Sequence, residues 1–147
     1  MFSRTTEYAL RAAVALAQQP ETRLASRDIA ARTQVPLGYL SRVMQTLVEA
    51  HVVDSQRGPS GGFKLVNPPG ETSLLQVVQA IDPIKRITEC PLKLSEHCDT
   101  LCPLHRRMDR LAALAIQELG DATLDTLTRE PVVPLGLQVS SANQSGA

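Results

Sequence analysis

Residues 36–66 read PLGYLSRVMQTLVEAHVVDSQRGPSGGFKLV. Leu37, Leu40, Val43, Met44, Leu47 and Val48 recur at helical spacing and predict one apolar stripe, which turns Tyr39, Ser41, Arg42, Gln45, Thr46 and Glu49 outward. Pro36 suits the first turn of that helix. Val52 and Val53 open a β-prone run and Phe63 to Val66 form another, with Arg57-Gly58-Pro59-Ser60-Gly61-Gly62 between them. A Gly/Pro turn between two such runs predicts a hairpin directly behind the helix.

Working back from this stretch, Ser26 caps a short helix that stops around Thr33, and helix, turn, helix is the layout whose second member enters the DNA major groove. A hairpin behind it is a β-wing. Ahead of both, Ala9, Ala12, Ala13, Leu16 and Ala17 share one face of a first helix that Pro20 ends; such small residues imply close packing. Downstream, Thr72 or Ser73 caps a helix through Ile81 that closes the core. From Pro103 to about Leu119 the residues Leu104, Met108, Leu111, Ala115 and Leu119 make one narrow apolar seam, the pattern of a helix packed on a partner copy. A short capped helix through Thr128 or Arg129 ends the ordered part. The expected fold is mostly α with a small β-wing, a winged helix-turn-helix plus a long C-terminal dimerisation helix. The expected divisions are a DNA-binding domain over 1–82, a cysteine-containing sensor loop over 83–103, dimerisation and terminal helices over 104–130, and a disordered tail over 131–147.

The formal net charge of the 147 residues is zero, but it is unevenly placed. Met1 to Val66 carry eight Lys and Arg against five Asp and Glu, and Asn67 to Ala147 carry seven against ten. A mildly basic first half suits a phosphate partner. Phe2, Tyr8, Tyr39 and Phe63 are the only aromatic side chains, too few for a single-strand stacking platform. In the outward face of the third helix Ser41, Arg42 and Gln45 carry donors for base edges, Tyr39 packs on the DNA backbone, and Arg27 and Arg32 are placed for phosphates. Arg57 can reach a minor groove, with Ser60 beside it, while Gly58, Gly61 and Gly62 allow positive φ and close approach to a phosphate. No apolar run is long enough to span a membrane. No nucleophile, base and oxyanion-donor set and no nucleotide-binding loop is visible, so an enzyme is not expected.

All three cysteines, Cys90, Cys98 and Cys102, fall in one stretch, with His105 three residues past the last. Three thiols and an imidazole suit an iron-sulfur cluster; the same set is acceptable for zinc, and thiols without metal form a redox switch. The odd count, with no apolar signal segment behind a basic start, predicts a reducing, cytoplasmic setting. Glu7 is a first-turn acid favoured by the helix dipole.

Four segments give the chain a family likeness: Thr6-Glu7-Tyr8-Ala9-Leu10-Arg11, Tyr39-Leu40, Arg57-Gly58-Pro59-Ser60-Gly61-Gly62-Phe63, and Cys102-Pro103-Leu104-His105. With them it resembles the IscR/NsrR family of bacterial regulators, the Rrf-two group of dimeric winged-helix transcription factors. The resemblance implies a homodimer on a pseudo-palindromic double-stranded DNA operator. It also implies a [4Fe-4S] or [2Fe-2S] cluster held by the three cysteines, whose response to nitric oxide, iron or redox state controls repression. In IscR-like members a histidine just past the last cysteine completes the cluster, and His105 matches it. In NsrR-like members an acid of the first helix, donated by the other subunit, does so, and Glu7 matches that. The gap of three residues between Cys98 and Cys102 is shorter than the five common in the family. The alternatives are a cluster-free or zinc-binding regulator and a protein-interaction adaptor.

Overall fold

The computed structural model describes residues 2–91 and 101–131. Six α-helices and one two-stranded sheet follow in the order α1 (Arg4–Ala17), α2 (Ser26–Thr33), α3 (Leu37–Glu49), β1 (Val53–Gln56), β2 (Gly62–Leu65), a 3-10 turn (Pro69–Glu71), α4 (Leu74–Ile81), α5 (Pro103–Asp121) and α6 (Leu124–Arg129). The expected class of fold, mostly helical with a small wing, is the one observed.

The small face of α1 is the centre of the packing. Ala9, Ala12, Ala13, Leu16 and Ala17 are all buried, and α1 touches α2, α3, α4, α6 and β2. Short side chains let those elements approach one helix from several sides without leaving voids. Around it lie Ile29, Leu40, Val43, Met44, Leu47, Val53, Leu65 and Val77.

The turn between α2 and α3 depends on Gln34, which takes the left-handed conformation at φ 59° and returns its N–H to the Ala30 carbonyl at 2.9 Å. That reversal drops Val35 into the core at 2% exposure. Pro36 then stands as the N-cap, one position ahead of the expected first turn, and Ala25 rather than Ser26 caps α2. Leu37 differs from expectation: although it is the first residue of α3 and fits the stripe by spacing, it is 43% exposed. The other stripe residues are buried, with Val48 half-buried.

At the far end of α3, His51 (φ 57°) turns the chain, and the Val52 N–H reaches back to the Leu47 carbonyl at 3.0 Å. β1 and β2 then pair antiparallel from Val53↔Leu65 to Gln56↔Gly62. Leu24 adds a third rung, exchanging hydrogen bonds with Phe63 at 2.9 and 3.0 Å. Of the two candidate caps, Ser73 begins α4, in a reciprocal box with Gln76.

α5 runs from Pro103, as expected, and extends to Asp121. Behind it the chain turns back, because the Leu74 and Leu124 N–H groups bond the Ala122 and Thr72 carbonyls, each at 2.9 Å. This places Leu124 in the core with the helices of the first half. Along the seam of α5 Leu104, Met108, Leu111 and also Leu114 are 48–65% exposed, while Ala115 and Leu119 are partly buried.

Candidate nucleic-acid interface and cysteine site

Ser41, Arg42 and Gln45 stand exposed on α3, and Arg57, Gly58 and Ser60 are exposed at the wing tip. Between the two lies a groove of about 480 Å³, lined among others by Ser41, Gln45, Ser55, Gln56, Arg57 and Phe63. Each polar residue has a local reason for its direction. Ser41 donates its hydroxyl to the Leu37 carbonyl at 3.2 Å, and Gln45 donates to Glu49 Oε1 at 3.1 Å, both along the helix's outer side. Ser55 and Gln56 were not singled out from the sequence; β1 is buried only at Val53, and its last three residues face solvent.

The wing glycines divide by task. Gly58 (φ 105°) and Gly62 (φ 131°) take the positive values expected of them. Gly61 does not, and is small for another reason: a Cβ there would sit 2.2 Å from the Gln56 carbonyl oxygen. Its N–H is also spent inside the loop, on the Gly58 carbonyl at 3.0 Å, so it is not free to meet a phosphate. At the wing's base Arg23 pairs with the Asp54 carboxylate and donates to the Gly62 carbonyl at 3.4 Å. Arg23 gave no sequence signal, because the pairing joins segments far apart in the chain.

Tyr39 is 47% exposed, and its ring meets Tyr8 of α1 edge-on, with centroids 5.6 Å apart. Arg27 and Arg32 are exposed on α2, and Arg32 donates to Gln19 Oε1 at 3.3 Å.

At the cysteine site, Cys102 is the N-cap of α5 and Pro103 its first residue. One turn on, His105 Nδ1 lies 3.4 Å from Cys102 Sγ, as the three-residue spacing at a helix start requires. Cys90 is buried. Cys98 and His97 lie outside the described residues, as does the expected tail from 132 onward. Glu7 is exposed and pairs with Arg11 one turn along α1 at 2.5 Å. A cysteine sulfur and an imidazole facing one another fit two positions of an iron or cluster site. Among the described residues no three His, Cys, Asp or Glu side chains converge closely enough to hold a metal ion.

The segment before Cys90 is tied down by groups the sequence did not reveal. The Asp82 carboxylate accepts from the Ser3 hydroxyl and, at 2.6 Å, from the Thr6 hydroxyl, which hold it below the usual carboxylate range. Arg86 grips both carboxylate oxygens of Asp109 on α5 at 2.6 Å, and the Ile87 N–H donates to the same group at 2.9 Å. The Arg86 hydrogen bonds, with smaller help from the Ile87 N–H, lower the Asp109 pKa to about 2.

A helix-turn-helix with an exposed, donor-bearing second helix and a clamped wing defines a winged-helix DNA-binding protein. The model of the Rrf2 family, described as iron-dependent transcriptional regulators, matches residues 2–130, and the chain belongs to this family. Regulation of transcription, not catalysis, is the work of these proteins. The chain is similar to a protein of Aquifex aeolicus assigned as an HTH-type transcriptional regulator, 31% identical over 114 residues, which are 76% of this chain and 79% of that one. Among solved structures T. potens IscR has a TM-score of 0.72 at 22% identity, covering 87% of this chain and 85% of that one. CymR (YrzC), the global cysteine regulator of B. subtilis, has a TM-score of 0.69 at 22% identity, covering 86% and 95%. At these identities the likeness concerns the fold. No helix among the described residues is long and apolar enough to cross a membrane.

Proposed function

We propose that this chain is a dimeric regulator of the IscR/NsrR kind, acting as a repressor whose operator affinity depends on an iron-sulfur cluster at the cysteine loop. The observation that carries the proposal is the contact of Cys102 Sγ with His105 Nδ1 at the start of α5. Cys90, Cys98, Cys102 and His105 are the ligands, and the cluster supplies a group that nitric oxide, iron supply or oxidants alter. His105 is favoured over Glu7 because the ring nitrogen already faces the thiol, whereas the Glu7 carboxylate is engaged by Arg11. With His105 as the fourth ligand, the proposed site lies within one subunit. DNA enters along the groove between α3 and the wing: Ser41, Arg42 and Gln45 meet base edges, Arg57 enters the minor groove, and Ser60, Arg27, Arg32 and Tyr39 meet the backbone. The exposed seam of α5 carries the second copy, burying Leu104, Met108 and Leu111.

Anaerobic purification with iron and sulfide quantification tests the site. His105→Ala and Cys98→Ala lower the iron content and shift the thiolate-to-iron absorption, and Glu7→Ala leaves both unchanged. Iron loss on Glu7→Ala with His105→Ala unaffected refutes the assignment within one subunit. The same thiol-imidazole contact also suits a metal-free thiol switch. A colourless protein whose operator binding responds to thiol oxidation alone establishes that second reading, and stoichiometric zinc establishes the zinc form.

A further inference from the structure

Residues 82–90 run from the end of α4 to Cys90, and hydrogen bonds fasten them at three places. Asp82 is held by Ser3 and Thr6, the cap and first turn of α1. The Ile84 carbonyl accepts from Gln79 of α4 at 3.3 Å. Arg86 and the Ile87 N–H are held by Asp109. The same strand of chain thus bears a buried thiol, a clasp on α5 one helical turn beyond His105, and the acceptor for the hydroxyls that begin α1.

We infer that the Arg86–Asp109 clasp positions this strap as a tension link, keeping Cys90 buried and passing any displacement of the cysteine loop to the first turn of α1 through Asp82. This rests on the cysteine loop being the sensing element.

The geometry favours a device over an ordinary surface pair. Exposed single-contact ion pairs contribute little. Here the contact is bidentate, the acid also takes a backbone N–H, and the Asp109 side chain is only 16% exposed against 51% for Arg86. Two nitrogens of the planar guanidinium and one amide fix the strap in direction as well as in distance. Asp82 is equally constrained at the other end, because Ser3 serves at once as the α1 N-cap for the Thr6 N–H and as a donor to that carboxylate. Among the described residues Asp109 makes no hydrogen bond to α1, so the strap is the hydrogen-bonded connection between them, beside the packing of α5 on α4 and of α4 on α1.

Metal-free, reduced full-length protein provides the test, with Cys90 alkylation by iodoacetamide followed by residue-resolved mass spectrometry. Hydrogen exchange of the peptide spanning residues 2–9 is read on the same samples. Asp109→Ala raises the Cys90 alkylation rate by roughly fivefold or more, as expected when a partly buried charged clasp no longer opposes local opening. It also speeds exchange in the first turn of α1. Arg86→Gln, a change at the exposed end that spares the fold, has the same two effects. The Arg86→Gln/Asp109→Ala pair goes no further than Asp109→Ala alone, because that change already removes the acceptor of both Arg86 and the Ile87 N–H. Cys90 labelling within about twofold of the parent in both variants overturns the clasp. Faster labelling with unchanged exchange in residues 2–9 overturns the link to α1. Neither readout involves iron, so absence of a cluster in the anaerobic preparation leaves this result independent of that one.

Discussion

Replacing Gly61 by alanine separates the wing's shape from the protein's stability. The new Cβ would lie 2.2 Å from the Gln56 carbonyl oxygen and 2.8 and 2.9 Å from the carbonyl carbons of Arg57 and Gln56. All three are backbone atoms, so no side chain can swing away, and the loop must open by roughly 1 Å to restore ordinary contact. Opening it breaks the Gly61 N–H bond to the Gly58 carbonyl. Overpacking of this kind costs about 1–3 kcal/mol, and the lost hydrogen bond about 1 kcal/mol more. The wing tip contributes little to the core, so local opening relieves most of that strain and the melting temperature falls only slightly. Operator binding is expected to bear the consequence, because Arg57 no longer stands where it lines the groove between α3 and the wing. Loss of one such contact set costs about 1–3 kcal/mol, or about 5- to 150-fold in affinity. Fluorescence anisotropy on a DNA site selected by the parent protein from a random library, at fixed salt, measures it. Parent-like affinity in Gly61→Ala refutes the argument that this loop geometry positions the wing.

Gly38→Ala is the matching control: nothing lies within 4 Å of its Cβ position on α3, so denaturant melts gain about 1 kcal/mol of stability. Leu111→Glu removes an apolar side chain, 65% exposed in the single chain, from both copies of the proposed symmetric interface. It weakens dimerisation by about 3–6 kcal/mol, read as a shift to monomer in analytical ultracentrifugation. Asp109 has a lowered pKa in the fold, about 2 against an ordinary 3.8, so its stabilising effect is complete above the ordinary value and is lost as pH falls toward 2. Melts of the parent and Asp109→Asn therefore differ by a constant amount from about pH 5 upward and converge between about pH 4 and pH 2.

Much of the fold was legible because its signals are local. The Ala face of α1, the stripe of α3, the Gly/Pro turn of the wing and the Pro103 start of α5 each depend on residues within two or three turns of one another. The misjudged positions lie where an element begins. Leu37 fits the stripe by spacing yet is exposed, because it is the first residue of α3 and the core closes on the helix only from Leu40 onward. Gly61 looked like a positive-φ glycine, and the structure shows instead a steric requirement created by the strand it folds back on.

The amino-acid sequence by itself determined the kinds of elements, their order, the donor-bearing face of α3 and the gathering of three thiols in one stretch, since periodicity, turn chemistry and residue type are local properties. Only the tertiary structure decided that Leu124 belongs to the core, that Arg23 fastens the wing to Asp54, and that Asp82 and Arg86 tie the strap to α1 and α5. Each of these joins residues more than twenty positions apart, or an element to the core formed by all the others. Charge and hydropathy along a chain carry no record of which distant partner will meet them.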